Sequence, residues 1–243
     1  MAYHIHLQST PTTMDAAAHF AKNGAPHLSL ITASEQTKGR GRQGKVWETH
    51  KGYAFAGTFI LREAIGPHLP LVASLALLKA CQKVLEENVT LNSQRPTLNL
   101  SIKWPNDILK GDDKIAGILV EQRSETLALI GMGVNVVKAP DAPHTALLNE
   151  GTKPQSHFVS TLKGCMEREL TLYNQHGWPH FSEEYEENCT TIGKKVRWNQ
   201  SPTTAIYGQV LGLNSQGALK LQDENGVTHL VHAGEIIAQA VTS

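Results

Sequence analysis

The sequence predicts an α+β fold: a mixed, largely antiparallel sheet flanked by helices, followed by a small β-barrel. Three observations predict it. Strand-like alternation or β-rich composition recurs at 3–7, 28–33, 53–61 and across 100–134. Two long segments, 69–91 and 156–173, repeat their apolar residues near helical spacing. After Cys189 the texture changes to short alternating stretches separated by turn residues. At 243 residues the chain exceeds the roughly 100–200 of a common single domain. The expectation is one large unit over 1–188 and a small one over 189–243.

The first element is a half-buried strand at Tyr3–Leu7, which feeds a helix over Thr13–Asn23. That helix has Asp15 in its first turn, alanines inside and Gly24 as its stop. A compact strand, Leu28–Ala33, precedes a polar, glycine-rich stretch from Ser34 to Lys45, and a second strand returns at Tyr53–Leu61. Leu71, Leu75, Leu78 and Leu85 mark the core face of a long helix, with Lys79, Lys83 and Glu86 on its wet side. Leu100–Trp104, Lys114–Glu121 and Leu127–Val134 read as a three-stranded meander with turns at Pro105–Asp107 and Gly111–Asp113. Phe158, Leu162, Cys165, Met166, Leu170 and Tyr173 share one face of the second long helix. Lys195–Trp198, Ala205–Leu213, Ala218–Leu221 and Thr228–Val231 are the barrel strands.

Lysine plus arginine balance aspartate plus glutamate at 22 each, so the global charge does not advertise nucleic acid or an anionic membrane. Cys81, Cys165 and Cys189 are odd in number and far apart, without metal-ligand spacing, and read as reduced thiols. The N-terminus lacks the charged and apolar regions of a signal peptide, and no apolar run is long enough to span a bilayer. The expectation is a soluble, cytoplasmic protein.

Gly39–Gly44 (GRGRQG) matches a dinucleotide-binding fingerprint in letters. The context does not fit, because Lys45–Gly52 is too short and polar for the helix that would receive a pyrophosphate. What remains is flexible backbone with Arg40 and Arg42, whose guanidiniums hold carboxylate or phosphate bidentately. The loop is either an anion grip that orders around a ligand or a mobile surface loop with solvated arginines. Lys103-Trp104-Pro105-Asn106-Asp107 ends a strand, since proline removes a ladder donor. Lys103 and Asp107 either face one cavity, one on an anion and one on an amine, or form a structural turn. Gly117, after Lys114, and Gly131 and Gly133, before Asn135, admit close backbone approach or mark simple bulges. Thr12 and Thr13 are helix caps or ligand-binding hydroxyls, and Gln36 is solvent-facing or a ligand contact.

Taken together and in order, these motifs resemble the biotin–protein ligases over nearly the whole chain. They are Thr12–Met14, Q-x-x-GRGR-x-G-x-x-W from Gln36 to Trp47, KWPND, K-x-AG-I-L-V-E over Lys114–Glu121, and G-x-G-x-N over Gly131–Asn135. The Gly234-Glu235-Ile236 ending resembles the family's small C-terminal barrel. The resemblance implies a class II synthetase/biotin ligase-like catalytic domain with an SH3-like barrel. It further implies ATP with Mg²⁺, biotin as substrate, a biotinyl-adenylate intermediate and transfer of biotin to a lysine of a biotin carboxyl carrier protein. By the same resemblance Thr12, Thr13, Met14, Gln36, Gly117, Gly131 and Gly133 form the biotin pocket. Arg40, Gly41 and Arg42 hold the biotin carboxylate and the adenylate phosphate, while Trp47, Asn106 and Asn135 contact the nucleotide. Lys103 sits over the reacting carboxylate and α-phosphate, and Asp107 and Lys114 position the incoming amine. Met14, Lys45 and Tyr53-Ala54-Phe55 depart from residues common in the family.

A lipoate or octanoate ligase or transferase is the nearest alternative, and GRGRQG with KWPND favours biotin. A non-catalytic biotin sensor is a second, opposed by the presence of Lys103, Asp107 and Lys114. The first strand at Tyr3 leaves no space ahead of it for a DNA-reading helix-turn-helix, so no DNA partner is expected. A homodimer remains open, as does the identity of the carrier.

Overall fold

The computed structural model describes residues 1–49, 51–63, 66–90, 99–139, 144–148, 155–201 and 203–238. Its larger sheet contains β1 (His4–Leu7), β2 (Ser29–Ala33), β3 (Ala54–Leu61), β4 (Leu100–Lys103), β5 (Asp107–Lys110), β6 (Asp113–Ser124) and β7 (Leu127–Asn135). The order across it is β1-β2-β3-β7-β6-β5-β4. Only β1 and β2 run parallel; every other neighbouring pair is antiparallel. The expected mixed sheet is present, with one strand more in its meander. Asp107–Lys110, of which the sequence reading places Asp107 in a turn and assigns 108–110 to no element, forms a hairpin with β4 in which Lys103 pairs with Asp107. Four residues between a proline and a glycine turn are too short for alternation to declare a strand.

Helices cover both faces of the sheet: α1 (Thr13–Lys22) on one, α2 (Leu69–Thr90) and α3 (Gln155–His176) on the other. Side chains alternate across a strand, and the burial follows that rule. Ile31, Ile60 and Leu129 pack with Met14, Ala17 and Ala21 of α1, whereas Leu30, Phe59, Leu61, Ala128 and Ile130 join the larger core beneath α2 and α3. All of β2 and β3 are buried as a result, as expected for strands covered on both faces. Thr12 caps α1 by accepting from Met14 N at 3.3 Å, and Gly24, at φ 85°, follows its C-cap.

Two further features depart from the sequence reading. A fourth helix, α4 (Pro179–Glu187), was not expected. It buries only Phe181 and Tyr185, too few positions to establish a helical period. Lys79, assigned to the wet side of α2, instead donates to Glu169 Oε2 at 3.0 Å and Glu184 Oε2 at 2.8 Å. Glu169 is 1% exposed, and a carboxylate buried without a cation is strongly destabilising, so Lys79 turns to it from solvent. Lys83 and Glu86 do face solvent. The expected extension of the helix to Leu91 falls outside the described residues.

The second sheet holds β8 (Lys195–Asn199), β9 (Ala205–Leu213), β10 (Leu219–Asp223), β11 (Thr228–Val231) and β12 (Glu235–Ala238). It is antiparallel in the order β11-β10-β9-β8-β12, consistent with the small barrel expected. Between the sheets the chain is stitched to the β4 edge. Ile102 N donates to Asn188 O at 2.8 Å, and Thr190 N to Ile102 O at 2.9 Å. All three cysteines are free and buried, and burial pushes each thiol pKa upward. Among the described residues no helix is long and apolar enough to cross a membrane.

Candidate active site

A cavity of about 450 Å³ opens on the α1 face of the larger sheet. Its floor follows from strand periodicity. In β7, Leu129, Gly131 and Gly133 occupy one face; Leu129 packs under α1, and the two glycines then leave space where side chains would stand. Gly117 of β6 pairs with Gly133 and extends this bare floor. The space is already shared with neighbours. A Cβ at Gly131 would lie 2.6 Å from Met14 Sδ, and one at Gly133 2.2 Å from Trp47 Cε2. Glycine is therefore required there for close approach rather than for turning.

One wall is the start of α1. Gln36 Oε1 accepts from Thr13 N at 2.8 Å and from Thr13 Oγ1 at 3.1 Å, and Thr58 Oγ1 donates to Thr13 Oγ1 at 2.9 Å. This network holds polar side chains at the cavity while α1 keeps its cap. Thr58, which the sequence reading did not single out, lies opposite Gly131 in the β3–β7 register.

The glycine loop crosses the cavity as a short hairpin. Gly41 N donates to Lys45 O at 2.7 Å and Trp47 N to Gly39 O at 3.0 Å, with a 3₁₀ turn over Arg42–Gly44. Arg42 Nη1 donates to Asn106 Oδ1 at 2.7 Å. Arg40 instead reaches Asp15 Oδ1 at 2.7 Å. The Trp47 indole lies along Gly117 and Gly133, and the Lys114 ammonium stands 5.6 Å from its ring centroid.

The KWPND turn forms the opposite wall. Lys103, Asn106 and Asp107 all line the cavity, and Lys114 Nζ pairs with Asp107 Oδ1 at 2.8 Å. Asn106 Nδ2 donates to Ile118 O at 2.9 Å, fastening the turn to β6. The turn is held from behind by residues that sequence reading missed. Ser74 Oγ shares its hydrogen between Pro70 O at 2.8 Å and Pro105 O at 3.0 Å, and Trp104 N donates to Thr191 Oγ1 at 3.0 Å and Trp104 Nε1 to Gly217 O at 3.1 Å. Tyr185 OH also donates to Pro105 O, at 3.5 Å. Burial first, then the neighbouring Cys189 and Asp107, holds that phenol well above its ordinary pKa, so it remains a donor. Gly234, Ile236, Ile237 and Ala238 of the second sheet close the cavity's edge. No local pattern marks these supports, because their partners lie far away in the chain.

The cavity thus gathers Thr12, Thr13, Met14, Gln36, Arg40, Gly41, Arg42, Trp47, Lys103, Asn106, Asp107, Lys114, Gly117, Gly131 and Gly133. Asn135 is not brought to its lining. It ends β7 beside a small neighbouring cavity, with its Nδ2 donating to Thr145 O at 3.4 Å. There Lys110 Nζ donates to Ala146 O at 3.3 Å and Leu147 O at 3.0 Å, and burial lowers its pKa from the ordinary lysine value. Five cationic side chains line the main cavity, Arg40, Arg42, Lys45, Lys103 and Lys114, with Asp107 as the one carboxylate among the lining residues. Such an arrangement suits two anionic reactants and a nucleophilic amine.

Residues 6–136 match the Biotin/lipoate A/B protein ligase family and residues 191–238 the Biotin protein ligase C terminal domain. The bifunctional ligase/repressor BirA of Bacillus subtilis (strain 168) is 30% identical, over 96% of this chain and 72% of its own length. The biotin--[acetyl-CoA-carboxylase] ligase of Paracoccus denitrificans is 30% identical, over 87% of this chain and 92% of its own. In fold, the chain is similar to the biotin protein ligase from Aquifex aeolicus in complex with biotin and ATP, with a TM-score of 0.80 at 23% identity, over 98% of this chain and 99% of that one. With just over half its length matched by the first family and its ordered motifs gathered on one cavity, the chain belongs to the biotin/lipoate A/B protein ligase family.

Proposed function

We propose that this protein is an ATP-dependent ligase that activates biotin as biotinyl-5'-AMP and transfers it to a specific lysine of a biotin carboxyl carrier protein, the acetyl-CoA carboxylase subunit. The observation that carries the reading is the convergence of Arg42, Lys103, Asp107 and Lys114 on one glycine-floored cavity. The match of the second sheet to the Biotin protein ligase C terminal domain favours biotin over lipoate or octanoate.

In the first half-reaction a biotin carboxylate oxygen bonds to the α-phosphorus of ATP. The bond from that phosphorus to the bridging oxygen breaks, and pyrophosphate leaves. Arg42 and Lys103 offset the repulsion between the two anions and stabilise charge on the phosphoryl oxygens. Arg40 and Gly41 belong to the same grip. In the second half-reaction a neutral lysine amine attacks the mixed anhydride carbonyl, AMP leaves, and the amine's proton departs. Asp107 and Lys114, already paired, orient that amine. Thr12, Thr13, Met14 and Gln36 receive the biotin ring over the glycine floor, and Trp47 and Asn106 the nucleotide. Asn135 joins them only if the 144–148 segment releases it. The hairpin at 39–47 keeps water from the anhydride.

Mg²⁺ enters with ATP. Phosphate oxygens and water would supply most of its ligands, as is usual for this cation. We place the protein in the cytoplasm, where its buried free thiols stay reduced, acting without DNA, and divide it into a catalytic unit over 1–188 and a C-terminal unit over 189–243.

The direct test is incubation with ATP, Mg²⁺ and either biotin or lipoate, followed by pyrophosphate measurement and addition of an apo-carrier domain. Biotin alone is expected to support release and transfer; release with lipoate and not biotin would reverse the assignment. A second expectation concerns the floor. Gly133→Ala drives a Cβ into the Trp47 indole, and loss of a base-stacking aromatic costs about 1–3 kcal/mol. Steady-state kinetics on that variant should show the KM for ATP raised by about tenfold; an unchanged value would remove Trp47 from the nucleotide site.

A further inference from the structure

The two arginines of the 39–47 hairpin have different anchors. Arg42 is tied to Asn106 in the KWPND turn. Arg40 is tied to carboxylates outside the cavity lining: its Nη2 lies 2.7 Å from Asp15 Oδ1 and 3.8 Å from Glu121 Oε1. Asp15 stands in the first turn of α1. Glu121 stands on β6 two positions beyond Leu119, hence on the same sheet face as Gly117 and the cavity floor. Its other oxygen is engaged by Arg123 Nη2, which steers it. Arg40 lines both the main cavity and a second one bounded by the hairpin, Leu119 and Glu121. Its attachment is therefore where α1, β6 and the hairpin meet.

We propose that Asp15 and Glu121 are positioning residues that hold the 39–47 hairpin across the cavity by capturing Arg40. The cavity then has a strap with two fastened ends: Arg42 on Asn106 at the KWPND side, and Arg40 on Asp15 and Glu121 at the α1 side. The two carboxylates hold Nη2 of the Arg40 guanidinium, and with it the hairpin, against the cavity. The pair is partly exposed, with side-chain exposures of 43% for Arg40 and 56% for Asp15, so it contributes little to global stability. A weak latch suits a strap that must open each turnover to admit ligand.

The inference builds on the proposed ligase reaction, and its test has an arm that does not. Hydrogen exchange at the Gly41 and Trp47 amides, both bonded within the hairpin, reads strap opening without any substrate. Asp15→Asn and Glu121→Gln should each speed that exchange by about two- to fivefold, the factor expected for an exposed ion pair. Asp15→Glu should restore it. In an Arg40→Gln background Asp15→Asn should add nothing, because the two act through one contact. With biotin and ATP, Asp15→Asn should raise both KM values by a similar factor while kcat holds. Unchanged exchange in the Asp15→Asn, Glu121→Gln double variant would overturn the proposal. So would an exchange increase that persists without Arg40, since Asp15 would then act through the N-terminus of α1. A loss confined to kcat would equally overturn it. If the wild-type protein releases no pyrophosphate with biotin, the ligase reading fails while the exchange measurements still decide the latch.

Discussion

Lys103→Ala is expected to lower biotin-dependent pyrophosphate release by about 10²–10³-fold, the usual cost of removing one preorganised donor from a charge-developing centre. Lys103 ends β4, paired in register with Asp107 across the hairpin, and both line the cavity. Its backbone is fixed by the β4–β5 ladder, and the turn after it is held by Ser74, Thr191 and Tyr185. The ammonium is thus delivered by a rigid element, and trimming it leaves the scaffold in place. Pyrophosphate release measured beside the circular dichroism spectrum checks this: activity should collapse and the spectrum should not. Arg42→Gly is expected to act similarly with an added rise in KM, because it also cuts the 2.7 Å bond to Asn106. Near wild-type turnover in both variants would remove the KWPND turn and the hairpin from the chemistry.

The second large effect is structural. Trp104 is 4% exposed and belongs to the core that runs beneath both sheets. Its backbone N–H and indole N–H are satisfied by Thr191 and Gly217, residues 87 and 113 positions away. Trp104→Ala should cost about 3–5 kcal/mol for the lost ring and cavity, lowering the thermal midpoint on the order of 10 °C for a chain of this length. Activity should fall as well, since the same residue joins Lys103 to Pro105. Trp104→Phe keeps most of the ring while leaving the Gly217 carbonyl without its donor, and should cost about 1–3 kcal/mol. Thermal unfolding of the three proteins gives the comparison; equal midpoints for wild type and Trp104→Ala would show that this indole does not join the sheets.

Much of this was legible in the letters because it is local. The long helices over 69–90 and 155–176, the buried strands β2 and β3, and the glycine and KWPND segments each follow from spacing or residue type within a short window. Ile31 and Leu30 were bound to part company across β2, whatever packed on them. A residue's environment is not legible in the letters where distant chain makes it. Lys79 looks like a solvent-facing lysine until Glu169 and Glu184 arrive from α3 and α4. Helix α4 buries too few residues to announce itself, and β5 is a strand only because β4 and β6 flank it.

Alternation, helical period and five motifs in a specific order suffice for the fold class and the family. How those motifs divide their roles follows from the packed chain. It set the two arginines of GRGRQG on different anchors, Arg42 on Asn106 and Arg40 on Asp15 with Glu121, and it left Asn135 beside Thr145 rather than in the main cavity. The physical reason is range. Backbone preference and side-chain alternation act over a few residues, whereas an ion pair or a buried hydrogen bond depends on which distant group the fold brings within about 3 Å.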